Sequence, residues 1–443
     1  MVHEKADLTD VDKPLSRKKL MTDIFEDLKW RGLIHQTTAD DFLPGWLNSG
    51  SRTLYAGFDP TADSLHVGSL LPLMVLRRFQ KAGHKPIAIA GGATGMIGDP
   101  SGKSAERNLQ SQEQLDANLA GIEVQMRHVL DFECGDNSAI LVNNNDWMSK
   151  FSYIEFLRDV GKNFPVNVML GKDSVKSRLG SDAGLSYTEF SYMLLQAYDF
   201  AHLNKEYGCE LQIGGSDQWG NVTAGIDLGR RMNSVQLYGM TCPLLTKSDG
   251  AKMGKTESGA VWLSPERTSP YQFYQYWINV ADEDTGKCLR FLTELSHDEI
   301  TALDESREKE AHKRESQKRL AEELTRLIHG EAGLKSAVQA TEIFFGAEIE
   351  SLTDAELGQI FSDVPSSEQP ASVLDEGFGL IDAVASTGKS KGDARRSIKQ
   401  GSIYVNNKRV DDIEYKLTRK DLASESVIVL RSGKRKYALL RFN

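Results

Sequence analysis

Between residues 52 and 245, short apolar runs alternate with helical stretches, and this alternation limits the fold more than any other feature. Residues 52–58 and 86–91 read as buried strands, each followed by a helical pattern that opens on Gly or a polar residue. "SAILVNN" (138–144), "CELQIGG" (209–215) and "QLYGMTCPLL" (236–245) give three more strand candidates, with helical stretches such as "GNVTAGIDLGRRMN" between them. Strands alternating with helices predict an α/β fold with a parallel sheet, whose ligands sit outside the carboxyl ends of the strands. At 443 residues and 40% hydrophobic, the chain exceeds one ordinary core, and two or three domains are expected.

From about 270 to 350 the pattern changes to long charged helical stretches such as "KEAHKRESQKRLAEELTRLIHG". "DVPSSEQPASVLDEG" (363–377) is rich in Pro and Ser and reads as a linker. The last segment, 378–443, carries 15 Lys and Arg against 7 Asp and Glu, a balance of +8 that leaves −18 on residues 1–377 within the chain's −10. An acidic body with a basic tail predicts a polyanionic partner docking at one end. In that tail Ser390 is placed to cap a helix that Gly401 ends, and hairpins are expected around Asn406-Asn407 and around 432–436. No apolar run is long enough for a membrane helix, and residues 1–20 carry Glu4, Asp7, Asp10 and Asp12 where a secretory leader needs an apolar core. The four cysteines are scattered without a C-x-x-C pair, so neither a disulfide framework nor a structural zinc site is expected, and a cytoplasmic location is.

Five stretches carry candidate chemistry. In "YAGFDPTADSLHVGS" (55–69) His66 stands where a helix starts, either capping a surface helix or seating an anion on free N–H groups. "GGATGMIGDPSGKSAER" (91–107) fails the P-loop spacing, since Gly98 and Gly102 enclose three residues, but it presents Asp99 beyond a strand. Its Lys103 and Arg107 either clamp phosphates or are solvated. In "YTEFSYMLLQAYDF" (187–200), Tyr192, Gln196 and Asp199 share one helical face, which is either solvent-facing or a pocket wall. "QIGGSDQWGN" (212–221) sets Asp217 and Gln218 past a strand end, where α/β proteins bind nucleotides. "KSDGAKMGKTESGAVW" (247–262) carries Lys252 and Lys255 on a Gly-rich loop, either solvated or aimed at charge developing on phosphate oxygens. No Ser-His-Asp pattern, H-E-x-x-H or carboxylate cluster spaced for a permanent metal is present.

In that order these motifs closely resemble the bacterial-type tyrosyl-tRNA synthetases, from about residue 20 to the C-terminus. "HVGS" stands for the class I HIGH signature and "KMGKT" for KMSKS. The resemblance implies a Rossmann-like catalytic domain over 1–265 with an N-terminal helical extension, a helical anticodon-arm-binding domain over 266–362, and an α+β S-four-like RNA-binding domain over 378–443. It implies that tyrosine reacts with ATP and Mg2+, without a permanently bound cofactor, to tyrosyl-adenylate, and that the tyrosyl group passes to tRNA. A homodimer is implied, with no membrane association.

Residue by residue, the resemblance gives Tyr55 and Asp199 to the phenolic hydroxyl. Asp99, Tyr192 and Gln196, with Asp59 nearby, hold the ammonium, and Gln218 orients the carboxylate. Asp217 takes the ribose, while Gly57, Gly68, Ser69 and Gly215 line the ATP seat. Thr61, His66, Lys103, Arg107, Lys252, Lys255 and Thr256 meet the phosphates. In the tail, Arg395, Arg396, Lys399, Lys408 and Arg409 are expected to track an RNA backbone, with binding that weakens steeply as salt rises. The runner-up readings are a tryptophanyl-tRNA synthetase, a small-molecule adenylyltransferase, and an RNA-binding protein that kept the fold without the chemistry. The pair Tyr55 and Asp199, the basic tail, and the retained Asp99, Gln218, Lys252 and Lys255 argue against each in turn.

Two positions depart from the class signatures: Gly254 stands where the general class has Ser, as is usual in this branch, and the first signature's last residue, usually His, is Ser69. A hydroxyl keeps one hydrogen bond but loses ring packing against the nucleotide, so a modest rise in the ATP requirement is expected. Steady-state kinetics of Ser69→His should then show a lower KM for ATP, and an unchanged KM would refute the idea.

Overall fold

A computed structural model describes residues 23–101, 110–180, 184–256, 259–349, 352–361, 364–434 and 436–443. Its central sheet has six strands: β1 Gln36–Thr37, β2 Thr53–Phe58, β3 Lys85–Ala90, β4 Ile140–Asn143, β5 Cys209–Gly215 and β6 Tyr238–Cys242. Their spatial order is β1-β6-β5-β2-β3-β4. The five strands expected from the apolar runs are all present and mutually parallel. They read as continuous apolar runs because helices cover both faces of a parallel sheet. The sixth, β1, pairs antiparallel with β6, so the sheet is mixed at one edge. Two polar residues serve there because an edge strand needs only its backbone.

The chain runs outward from β2 to β4, then returns to place β5 on the other side of β2. The direction therefore reverses between β2 and β5, and a crevice opens above their carboxyl ends. Helix Val67–Lys81 leaves β2 with His66 as its N-cap, and helix Tyr187–Tyr207 leads into β5. The latter is held from the side by a buried ion pair. Arg178 donates two hydrogen bonds, 2.9 and 2.7 Å, to Glu189, and each side chain is only 3% exposed.

Helices Pro270–Ile278, Asp282–Leu292, His297–Lys309 and Glu315–Phe344 follow, the last kinked at Gly330, whose φ of 70° and ψ of −179° are not helical. The single charged pattern across 309–330 divides in the structure, because the chain turns through Arg314 at φ 53° before the long helix starts. One buried apolar cluster includes Leu73 and Met74 under the sheet together with Trp277, Leu289 and Leu324 of these helices. The helical region and the sheet therefore share a core.

The reading of 363–377 as a linker is corrected. Ser366–Gln369 is an edge strand parallel to Lys436–Phe442 in a five-stranded sheet, and Ser372–Glu376 is helical. Composition hid this strand because it contributes backbone hydrogen bonds at an edge and little apolar surface; residues 362 and 363 lie outside the described residues. The two hairpins form where expected. Asn406 and Asn407 turn the first at φ 48° and 65°, the left-handed pair favoured in tight hairpins. Ser390 accepts from the Asp393 N–H and Gly401, at φ 62°, follows the end of helix Lys391–Lys399. The tail docks on the long helix, where Asn407 Nδ2 donates to the carbonyls of Ile343 and Ala347 at 2.8 and 2.7 Å.

Removing one partner of the Arg178–Glu189 pair strands a buried charge. Arg178→Met is expected to lower stability by about 3 kcal/mol in urea unfolding followed by tryptophan fluorescence.

Candidate active site

A cavity of about 400 Å³ opens at the switch between β2 and β5. At its floor lies Tyr55 from β2, 1% exposed, its hydroxyl without a hydrogen-bond partner among the described residues. Burial, and then the charge of Asp199, push that phenol well above its ordinary pKa. Asp199, 2% exposed, accepts from Trp147 Nε1 at 2.8 Å and Asn144 Nδ2 at 3.0 Å. Burial pushes its carboxyl up to about 7, against the pull of those two hydrogen bonds.

The network continues toward the second wall. Asn144 accepts from the Ala93 N–H at 2.7 Å and donates to Thr94 Oγ1 at 3.0 Å. Thr94 in turn donates to Asp59 at 2.8 Å, and the other oxygen of Asp59 accepts from Tyr192 Oη at 3.0 Å. Asp99 accepts from Gln218 Nε2 at 2.7 Å and from the Ser101 N–H at 2.9 Å. Gln218 Oε1 receives Gln196 Nε2 at 3.3 Å and Asn221 Nδ2 at 3.1 Å, while Gln196 Oε1 is buried without a partner. The polar face of the Tyr187–Tyr207 helix is thus a pocket wall. Asp217, also lining the cavity, has its carboxyl raised by burial and by the nearby Asp99 charge.

The open end is built by the two signature stretches together. His66 and Ser69 line it, and a Cβ on Gly68 would stand 2.7 Å from the His66 ring. Gly57 passes the cavity with nothing within 4 Å of where a Cβ would be, and Gly215 has room for none beside Asp217. Thr61, Lys252 and Lys255 complete the rim. The loop that carries the lysines docks on the helix start: the Val67 N–H donates to the Val261 carbonyl at 3.0 Å. Gly254 takes φ +84°, and a Cβ there would lie 3.0 Å from the Val67 Cβ.

Sixteen expected residues, from Tyr55 to Lys255, converge on this one cavity. Lys103 and Arg107 lie outside the described residues, as does the side chain of Thr256, whose backbone forms part of the short hairpin strand Lys255–Thr256. Arg395, Arg396 and Lys399 are exposed on helix Lys391–Lys399, and Lys408 and Arg409 on the adjoining hairpin; none lines the cavity. Arg396 pairs with Asp393, and Lys408 with Glu348 at 3.1 Å. Sequence reasoning missed Asn144, Trp147 and Thr94. Asn144 stood at the carboxyl end of a strand candidate, the position that singled out Asp217 and Gln218. Among the described residues no three His, Cys, Asp or Glu side chains converge as a metal site, and no helix is long and apolar enough to cross a membrane.

Residues 48–346 match the family model of tRNA synthetases class I (W and Y), and residues 356–440 match that of the Tyrosine--tRNA ligase SYY-like C-terminal domain. The chain is 62% identical to a tyrosine–tRNA ligase of Rhodopirellula baltica over 421 residues, covering 94% of this chain and 96% of that one. It is 54% identical to a tyrosine–tRNA ligase of Roseiflexus castenholzii, covering 95% of this chain and all of the other. Among solved structures, a C-terminally truncated mitochondrial tyrosyl-tRNA synthetase of Aspergillus nidulans superposes with a TM-score of 0.65 at 32% identity, covering 72% of this chain and 94% of that one.

Because burial raises the Asp199 pKa above its value in an unfolded chain, the folded state holds the extra proton and loses stability as pH rises toward about 7. Thermal melts of Asp199→Asn and the parent should therefore diverge in the variant's favour between pH 5 and pH 8. A gap that stays constant would contradict the buried-carboxyl assignment.

Proposed function

The chain belongs to the class I tRNA synthetases of the tryptophan and tyrosine group, and from that premise we infer how its cavity performs the reaction of a tyrosine–tRNA ligase. A tyrosine carboxylate oxygen bonds to the α-phosphorus of ATP, the bond to the β-phosphate oxygen breaks, and pyrophosphate leaves. A hydroxyl at the 3′ end of tRNA then attacks the carbonyl carbon, and AMP leaves. The nucleophile of the first step arrives ionised, so no general base is required, and the work is orientation and charge stabilisation.

The observation that carries the residue assignment is the buried, unpartnered Tyr55 hydroxyl beside Asp199. A tyrosine phenol donates to Asp199 and pairs with Tyr55, whereas phenylalanine leaves the buried Tyr55 hydroxyl unsatisfied and gives the Asp199 carboxylate no further donor, a penalty for which enzymes of this kind are the standard illustration. The same pair disfavours tryptophan. Asp59, Asp99, Tyr192 and Gln196 hold the ammonium, the unpartnered Gln196 oxygen supplying one acceptor. Gln218 orients the carboxylate and Asp217 the ribose. Glycines 57, 68 and 215, with Ser69, leave the nucleotide its seat. Thr61, His66, Lys252 and Lys255 meet the phosphates, joined by Lys103, Arg107 and Thr256, and Mg2+ enters with ATP as part of the substrate.

The tail residues Arg395, Arg396, Lys399, Lys408 and Arg409 track the tRNA backbone, while the helical region 266–362 takes the anticodon arm. Tyr153, Ile154, Val168, Leu179 and Tyr187 are exposed large apolar side chains, Tyr153 and Tyr187 touching at their hydroxyls at 3.4 Å, and they favour a homodimer, working in the cytoplasm, that covers them with a second copy of the chain.

The test is exchange of labelled pyrophosphate into ATP with magnesium and without tRNA. Tyrosine alone should support exchange, with phenylalanine and tryptophan silent, and Tyr55→Phe should narrow the preference for tyrosine over phenylalanine by about tenfold. Exchange with no amino acid by a folded, tRNA-binding protein would favour the non-catalytic RNA-binding reading.

A further inference from the structure

The lysine-bearing loop is thinly packed on the side away from the cavity. Behind it lies an open cleft of about 710 Å³, bordered by Met253, Val261, Trp262, Tyr276 and Asp284. Across that cleft one side chain reaches the centre of the signature: the Gly254 N–H donates to Tyr276 Oη at 2.8 Å. Gly254 separates Met253 from Lys255, and its other side abuts Val67 at the start of the His66 helix. It is therefore gripped between a phenol oxygen and an aliphatic side chain.

Tyr276 is itself well anchored. Its helix, Pro270–Ile278, begins with a reciprocal Ser269–Gln272 cap, and the neighbouring Gln275 donates to Thr341 Oγ1 of the long helix at 2.9 Å. The Tyr276 ring meets Trp277 edge-on at 4.9 Å. The ascending arm of the loop is tied separately: the Ser248 N–H donates to Asp284 Oδ1 at 2.7 Å, and Lys287 Nζ to the Thr246 carbonyl at 3.0 Å. These bonds fix the base of the loop, and Tyr276 holds its working segment together with the Val261 N–H, which donates to the Gly254 carbonyl at 2.8 Å, and the Met253 N–H, which donates to the Leu245 carbonyl at 3.0 Å.

We propose that Tyr276 is a positioning residue for tyrosine activation, holding Gly254 through its hydroxyl so that Lys255 is aimed at the phosphates as charge builds on them. It touches no substrate and acts through the lysine beside the glycine it holds. The inference rests on Lys255 serving the phosphates, as assigned above. A residue that only stabilised the fold would affect melting and tyrosine binding; a positioning residue affects the rate at saturation and does so only while Lys255 is present.

The experiment compares the full-length parent, Tyr276→Phe, Lys255→Ala and the double variant. Adenylate formation is measured at saturating tyrosine and ATP, alongside tyrosine affinity and melting temperature. Losing the hydroxyl leaves a strained or unpaired N–H, so Tyr276→Phe should slow adenylate formation about tenfold, with tyrosine affinity unchanged and melting only slightly lowered. Lys255→Ala should slow it about a hundredfold, and the double variant should match Lys255→Ala alone. A normal rate for Tyr276→Phe, or a double variant slowed by the product of the two single effects, would overturn the proposal while leaving the phosphate role of Lys255 intact. A silent Lys255→Ala would remove that role, and the proposal with it.

Discussion

A carboxyl group placed where water does not reach must be met by donors or take up a proton. Asp199 is that group, and much of the catalytic region is arranged around it. Its two donors come from Asn144 and Trp147, just past the end of β4, so the fourth strand reaches the substrate site without contributing a residue of its own. Asn144 also receives the Ala93 N–H beyond β3 and reaches Asp59 beyond β2 through Thr94. One amide thereby links the ends of three strands to the Tyr187–Tyr207 helix. The buried Arg178–Glu189 pair fastens that helix on its other flank.

All five parallel strands, which bury apolar side chains, were legible in the sequence, as were the tail helix and both hairpins from their cap and turn residues. Elements made by backbone alone were not. Gln36–Thr37 and Ser366–Gln369 are edge strands with polar residues, and nothing in their composition distinguishes them from loops. The break between Lys309 and Glu315 was also hidden, since a left-handed Arg314 interrupts a pattern that stays periodic on both sides. In the site, residues carried by a signature were found, as were Asp217 and Gln218 past a strand end, but not Asn144 at another strand end. Asn144 and Trp147 escaped because their role is to satisfy another side chain, a relation that spacing along the chain does not record.

The division of labour follows from the reaction. Where the substrate brings its own nucleophile, an enzyme is relieved of proton transfer and depends on geometry. Fixed parts of the cavity stand on strand ends and on one long helix. The lysines stand on a loop whose supports, Tyr276, Asp284 and Lys287, belong to the helical region. That region also carries the tail, through Asn407 and Tyr437 on Ile343. The lysines of the cavity rim and the basic residues of the tail thus hang from one helical frame.

The distribution of charge along the cavity has a consequence of its own. Asp59 and Asp99 stand on the wall that Tyr192 and Gln218 complete, and Lys252 and Lys255 stand at the rim with Asp217 near Lys252, so acidic and basic groups both face the cavity. A free amino acid is a zwitterion, with a direction of its own. Its ammonium is drawn to the acidic wall and its carboxylate toward the cationic rim, and a molecule entering reversed meets like charge at both ends. With the residue roles proposed above, the cavity works as a compass, turning the carboxylate toward the phosphate-binding rim.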